Sequence, residues 1–275
     1  MIALHQTETK KVGLSTVPVP LGPASDAPRK NGALRQSRLA IDIWRIDLSS
    51  RNDRDAPNIE LLGADEARKA SRFCRQELRA RFEHAHVATR VILGLYLGTS
   101  PADVKLDHWP CPICGGPHGK PVLSTVHGAA VHFNLTHSGD LALLAVSRGC
   151  EVGIDVETAA CSSRALEALK AAASHPDDLT VGGAEASPAE RALNTWTAKE
   201  AVLKASGVGL AKSPNSFPLG QPTALASLDG SQRHWYVILL PIQGSRSAAL
   251  AFSGSPSAIR IHWFETHRYP VRAQS

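Results

Sequence analysis

The chain alternates between stretches of two hydrophobic periods. From Leu39 to Leu48, the apolar positions Ile41, Ile43 and Ile46 predict a strand with irregular alternation. From Ala64 to Gly98 the period lengthens. Phe73, Leu78, Phe82, Val87, Val91 and Leu95 recur at three- and four-residue spacing, predicting a helix that Gly98 ends. Strand spacing returns at His132–Thr136, Leu141–Ser147 and Glu151–Glu157, and the pair Arg148-Gly149 predicts a hairpin between the last two. Ser187-Pro188-Ala189-Glu190 has the makings of a capped helix start, and the helix is expected to run to Ser206 and stop at Gly207. Three more strands are predicted at Trp235–Leu240, Ala248–Phe252 and Ile259–Phe264. The order strand, helix, strands, helix, strands predicts an α+β protein of two halves.

The flanking segments set the domain bounds. Residues 1–37 are rich in Pro, Ser and Thr, show no period, and are expected to be a flexible tail. The first half is then 38–148 and the second 149–275. No apolar run approaches the ~20 residues of a membrane span, and the first residues contain no continuous apolar stretch typical of a signal peptide. Five scattered cysteines do not make a disulfide framework. These features point to a cytoplasmic protein with no membrane partner.

The net charge of +5 favours an acidic partner. It is not gathered into blocks of Lys and Arg, and only 5% of the residues are aromatic, which argues against nucleic acid.

Four segments could carry chemistry. In Val152-Gly-Ile-Asp-Val-Glu157, strand alternation turns Asp155 and Glu157 to one face, roughly 6–7 Å apart. Their repulsion, about 2–2.5 kcal/mol at an effective dielectric near 20, is reversed by a hard cation such as Mg2+. A solvent-facing strand edge would screen it instead. On the helix after Ser187, Glu200 falls within an apolar stripe of Ala189, Ala192, Leu193, Trp196 and Leu203, with Lys204 at its edge. An acid on such a face needs a partner, a metal or a raised pKa; an exposed Glu200 would be no more than a helix ion pair with Lys204. Phe133-Asn-Leu-Thr-His-Ser138 ends a strand in hydroxyls and an imidazole that can meet a phosphate, or form an ordinary turn. Gly119-Lys120-Pro121 projects a point charge from a fixed loop. Separately, Cys111 and Cys114 with flanking His108 and His118 match a structural zinc site in number of ligands but not in the spacing of a standard finger.

In this order, the four segments resemble the 4'-phosphopantetheinyl transferase superfamily. The closer likeness is to the larger type that serves polyketide and nonribosomal peptide synthetases. The resemblance spans about Arg68 to Lys204 and implies two similar α+β halves packed as a pseudo-dimer, with the active site in the cleft between them. It implies a monomer that transfers 4'-phosphopantetheine from coenzyme A to a serine of an acyl or peptidyl carrier protein and releases 3',5'-ADP. Asp155, Glu157 and Glu200 would hold Mg2+. Glu200 would be the general base, and Lys204 would stabilise or protonate the leaving phosphate. Thr136, His137 and Lys120, with Lys69 and Arg81 of the first helical region, would bind the coenzyme, whose pyrophosphate also meets the Asp155 site. Glu66 stands where the family often has a basic residue. The competing expectation is a non-catalytic module, holding zinc at the Cys-x-x-Cys loop and an acidic partner or nucleic acid on its basic helices.

Overall fold

The structure is a computed structural model and describes residues 40–49, 57–127, 131–158, 163–183, 185–220, 223–226, 232–242, 244, 246–254, 256 and 258–264. The expected tail 1–37 lies outside these residues. Ten strands and four α-helices are described: β1 (Ala40–Asp47), α1 (Ala64–Ala70), α2 (Gln76–Leu97), β2 (Leu106–His108), β3 (Pro121–Leu123), β4 (Val131–Ser138), β5 (Leu141–Arg148), β6 (Val152–Thr158), α3 (Ser163–Ala173), α4 (Pro188–Ser206), β7 (Thr223–Ala226), β8 (Gln232–Leu239), β9 (Arg246–Phe252) and β10 (Ala258–Phe264). The α+β class expected from the pattern is the one observed.

Two four-stranded sheets form the centre, in the orders β10-β1-β5-β4 and β6-β9-β8-β7. Their facing sides share one apolar cluster, with Ile41 and Ile43 of β1 and Leu143 of β5 against Ile154 of β6 and Leu250 of β9. The outer side of the first sheet packs on α2 through Trp44, Ile46, Leu144, Ile92 and Leu93. The outer side of the second packs on α4 through Trp235, Val237, Ala251, Val202 and Leu203. The resulting order of layers is helix, sheet, sheet, helix. It explains the irregular alternation of β1: the strand is central and covered on both sides, so both of its faces are apolar.

Three expectations change. The helix expected over Ala64–Gly98 is two helices, parted at residues 71–75. Phe73 had supplied a beat of the helical period; it sits in the turn, where its ring still packs on Phe82 at 5.3 Å between centroids. Arg148-Gly149 does not close a hairpin. Both edges of β5 are already taken, by β1 and β4, and β6 pairs with β9. Gly149, at φ 89°, instead turns the chain from the first sheet into the second. The hairpin lies one strand earlier, between β4 and β5. Finally β10, assigned by its position to the second half, returns to the first sheet and runs parallel to β1. Buried Asp42 of β1 anchors it, accepting from Arg260 Nε at 2.6 Å and meeting His262 Nε2 at 3.0 Å. Hydrogen bonds from His262, Arg260 and Tyr96 overcome burial and hold the Asp42 carboxyl below its ordinary range.

Candidate active site

The site begins where α4 crosses β6. The start of α4 is the one the sequence specified: Ser187 Oγ accepts from Glu190 N, and Glu190 Oε2 accepts from Ser187 N at 2.7 Å. The buried stripe is broader than expected. Ala198, Ala201, Val202 and Ala205 are its centre, while Ala189 is exposed. At the crossing the strand residue is Gly153. A Cβ there would stand 2.2 Å from the carbonyl oxygen of Ala201 and 2.3 Å from the nitrogen of Ala205. The missing side chain lets helix and strand backbones touch. Asp155, two residues on and turned to the same face, therefore lies directly against α4.

This contact assembles a polar cluster. Lys204 Nζ donates to Asp155 Oδ1 at 2.5 Å and to Thr136 Oγ1 at 3.2 Å, and Thr136 Oγ1 donates to Asp155 Oδ1 at 3.2 Å. Thr136 comes from β4, the edge of the first sheet, and Asp155 from β6, the edge of the second. The two edges are joined by side chains: Asn134 Oδ1 accepts from Ile154 N at 2.9 Å, and Ser138 Oγ lies 2.9 Å from Thr158 Oγ1. Glu157, half-buried, accepts from Trp196 Nε1 at 3.4 Å. Glu200 is buried, as its place on the helix predicted.

Charge is not balanced here. Asp155 Oδ2 and Glu200 Oε1 are both buried and have no hydrogen-bond partner among the described residues. An orphaned buried carboxylate oxygen is costly. Burial, with the negative charges of Asp155 and Glu157, pushes the Glu200 carboxyl up to about 7 against the pull of Lys204. Burial and Asp155 likewise raise Glu157. The unpartnered oxygens of Asp155 and Glu200, with the carboxylate of Glu157 nearby, are the donor type that a hard divalent cation takes, although the three residues' ligand atoms do not all lie within 4.8 Å of one another.

The raised carboxyls make a pH dependence. Glu200 binds its proton more tightly folded than unfolded, so its contribution to stability is full below its ordinary value of 4.5 and is lost as pH rises through about 7. His132 and His137, held low by burial, contribute with the opposite sign. The expected result is that, in chelator, the melting-temperature difference between wild type and Glu200→Gln moves against the wild type as pH rises from about 5 to about 8. A difference independent of pH would show that Glu200 is not perturbed.

Two cavities flank the cluster and share Pro121, Asn134 and Leu135 in their linings. The first, about 480 Å3, lies between α1, α2 and β4 and holds Lys69, His86, Arg90, His108 and His137. The second, about 450 Å3, lies between the Cys111–Lys120 loop and the end of α4, and Lys204 lines it. The structure thus brings Lys69 and His137 to one cavity and Lys204 to the next, with Asp155 and Thr136 behind. Arg81 lines neither; it pairs with Glu77 on the outer side of α2. Lys120 lines the second cavity, but its Nζ is committed to the carbonyl oxygens of Ala205 at 2.8 Å and Val152 at 3.3 Å. Burial brings its pKa down to about 8. Its contacts tie the β2–β3 loop to the crossing of β6 and α4.

The sequence reading missed a network in the first cavity. Glu66 Oε1 meets His86 Nδ1 at 2.8 Å, and Glu66 Oε2 accepts from Arg90 Nε at 2.8 Å and from Gly63 N at 2.7 Å. His86 and Arg90 stand four apart on α2, a spacing that shares one helix face and was the available signal. Glu66 meets both side chains, and these bonds hold its carboxyl low despite burial.

Comparison with known proteins fits this geometry. The 4'-phosphopantetheinyl transferase HetI of Nostoc sp. (strain PCC 7120) is 33% identical over 219 residues, 78% of this chain and 88% of that protein. The chain belongs to the 4'-phosphopantetheinyl transferase superfamily. The family model of that description matches residues 151–252, which include Asp155, Glu157, Glu200 and Lys204. A putative 4'-phosphopantetheinyl transferase, slr0495 of Synechocystis sp. (strain PCC 6803), is 27% identical over 192 residues, 67% of this chain and 75% of that one. The 4'-phosphopantetheinyl transferase psf-1 of Bacillus pumilus is 35% identical over 117 residues, 41% and 45% of the two chains. The protein is accordingly an enzyme of the transferase class. No helix among the described residues is long and apolar enough to cross a membrane.

Proposed function

We propose that this enzyme moves 4'-phosphopantetheine from coenzyme A to a serine hydroxyl of an apo acyl or peptidyl carrier protein, with Mg2+, and releases 3',5'-ADP. It does so as a cytoplasmic monomer of the larger type, with its two α+β halves (38–148 and 149–275, β10 excepted) arranged as a pseudo-dimer about the cleft. The observation that carries this reading is the pair of buried, unpartnered oxygens, Asp155 Oδ2 and Glu200 Oε1, beside a lysine that opens onto a cavity.

The residues divide the work. Asp155, Glu157 and Glu200 would hold the cation, which when bound supplies the positive charge that a pyrophosphate needs. Glu200, beside Asp155 on the buried face of α4, would accept the serine proton, directly or through water. The serine oxygen forms its new bond at the phosphorus that carries the pantetheine arm, and the bond from that phosphorus to the bridging oxygen breaks. The electron pair leaves on the adenosine-side phosphate, where Lys204 stabilises or protonates it. Thr136 and Asp155 hold the Lys204 ammonium at the mouth of the second cavity. His137 and Lys69 offer positive or hydrogen-bonding groups to the coenzyme's phosphates in the first cavity, and His86 and Arg90 line the same wall. The surplus of basic residues favours encounter with an acidic carrier protein. A non-catalytic role loses its support, since the chain belongs to an enzyme family and its acidic cluster is intact.

The test is intact-mass spectrometry of a panel of apo carrier proteins incubated with the enzyme, coenzyme A and Mg2+. A gain of one phosphopantetheine, lost with chelator, is expected. Glu200→Gln is expected to slow the gain by about 10²–10⁴-fold while coenzyme A still binds. No gain on any carrier, together with no binding of coenzyme A, would overturn the reading.

A further inference from the structure

The hairpin of β2 and β3 carries a long loop, residues 109–120, whose cysteines have no part in the reaction above. It is tightly folded. Cys111 N donates to Gly116 O at 2.7 Å, Gly115 N to Cys111 O at 2.8 Å, and Trp109 N to Lys120 O at 2.9 Å. This fold brings Cys111, Cys114 and His118 together, with their ligand atoms all within 4.8 Å of one another. Cys114 Sγ lies 3.0 Å from His118 Nε2. The sulfurs also receive backbone donors: Gly116 N–H points to Cys114 Sγ at 3.4 Å, and the N–H groups of Cys114 and Ile113 are turned to Cys111 Sγ.

We propose that Cys111, Cys114 and His118 bind one Zn2+ that pins the 109–120 loop as a wall of the second cavity. Tetrahedral zinc, with bonds of about 2.3 Å to sulfur and 2.0–2.1 Å to nitrogen, sets its ligands about 3.5–3.8 Å apart. With no pair more than 4.8 Å apart, the three ligand atoms lie within about 1 Å of that spacing. Two thiolates and an imidazole select zinc over magnesium, so this site and the carboxylate cluster take different metals. Among the described residues no fourth His, Cys, Asp or Glu joins at this spacing, and water completes the set. His108, counted with these ligands in the sequence, lies instead in the first cavity. The placement gives the metal a purpose. Cys111, Ile113 and His118 face Lys204 and Leu210 across the second cavity, and Lys120 at the loop's end reaches the β6–α4 crossing. The site stands independently of the transfer reaction.

The experiment is metal analysis of the full chain after exposure to zinc and removal of unbound metal. About one zinc per chain is expected. Cys114→Ser and His118→Ala are expected to weaken binding by about 100-fold or more, while Asp155→Asn leaves it unchanged. Cobalt in place of zinc gives a readout that needs no variant: sulfur-to-cobalt charge-transfer absorption with the strong visible bands of a tetrahedral site. Zinc content equal in wild type and the two loop variants, or cobalt spectra without sulfur ligation, would overturn the proposal. So would a Cys111–Cys114 disulfide in protein purified without oxidant.

Discussion

Asp155→Ala is expected to lower transfer to a carrier protein by about 10³-fold and to leave the fold in place. The carboxylate is only 3% exposed and stands at the centre of the cluster. It holds Lys204, accepts from Thr136, raises Glu200 and keeps one oxygen free for a cation. Its loss therefore removes a proposed metal ligand and releases the lysine assigned to the leaving group. The fold should survive because β6 is held by its ladder to β9 and by Val152, Ile154 and Val156 on the opposite face. The ammonium of Lys204 is not trapped either: its side chain is 28% exposed and lines the second cavity, into which it can turn. A stability loss of about 1–2 kcal/mol is expected, smaller than for breaking a fully buried pair. Carrier mass gain and a thermal melt check the two halves of this expectation. Near-normal turnover at saturating Mg2+ would remove Asp155 from the ligand set.

Gly153→Ala is expected to cost about 3 kcal/mol of stability and to impair the fraction that still folds. The added methyl would meet the oxygen of Ala201 at 2.2 Å and the nitrogen and Cα of Ala205 at 2.3 and 2.8 Å. All three are backbone atoms of α4, which cannot swing aside as a side chain can. The strand and helix must part by most of an ångström. Asp155 on one and Glu200 and Lys204 on the other would then separate, and a displacement of that size costs about 10²-fold in a reaction that depends on positioning. The Lys120 bridge, made to Val152 O on β6 and Ala205 O on α4, would stretch as well. Denaturant unfolding together with the rate per folded molecule tests this. A variant with wild-type midpoint and rate would show that the crossing is looser than described.

The acidic cluster was legible because each member broke a local rule. Asp155 and Glu157 repeat at strand spacing on one face, and Glu200 interrupts an apolar helical face. Both patterns survive in the structure since period and side-chain direction are local properties. Lys199 obeys the same logic and went unread. It is fully buried and paired with Asp178 at 2.9 Å, with Ala173 and Phe217 carbonyl oxygens as further acceptors. Its partners lie outside α4, so the helix alone gave no sign of them. The same holds for Lys120, whose backbone acceptors are 32 and 85 residues away.

By itself the sequence determined the main helices and strands, the caps of α4, the α+β class and the residues of the carboxylate cluster. These depend on periodicity, capping chemistry and local charge, which act over a few residues. Only the tertiary structure decided which strands pair, that β10 rejoins the first sheet, that Arg148-Gly149 is a passage between sheets, and that Arg81 stays outside while His86, Arg90 and Glu66 line a cavity. Each of these turns on which strand edges remain free and which faces are already covered, and that is a property of the assembled layers rather than of any one segment.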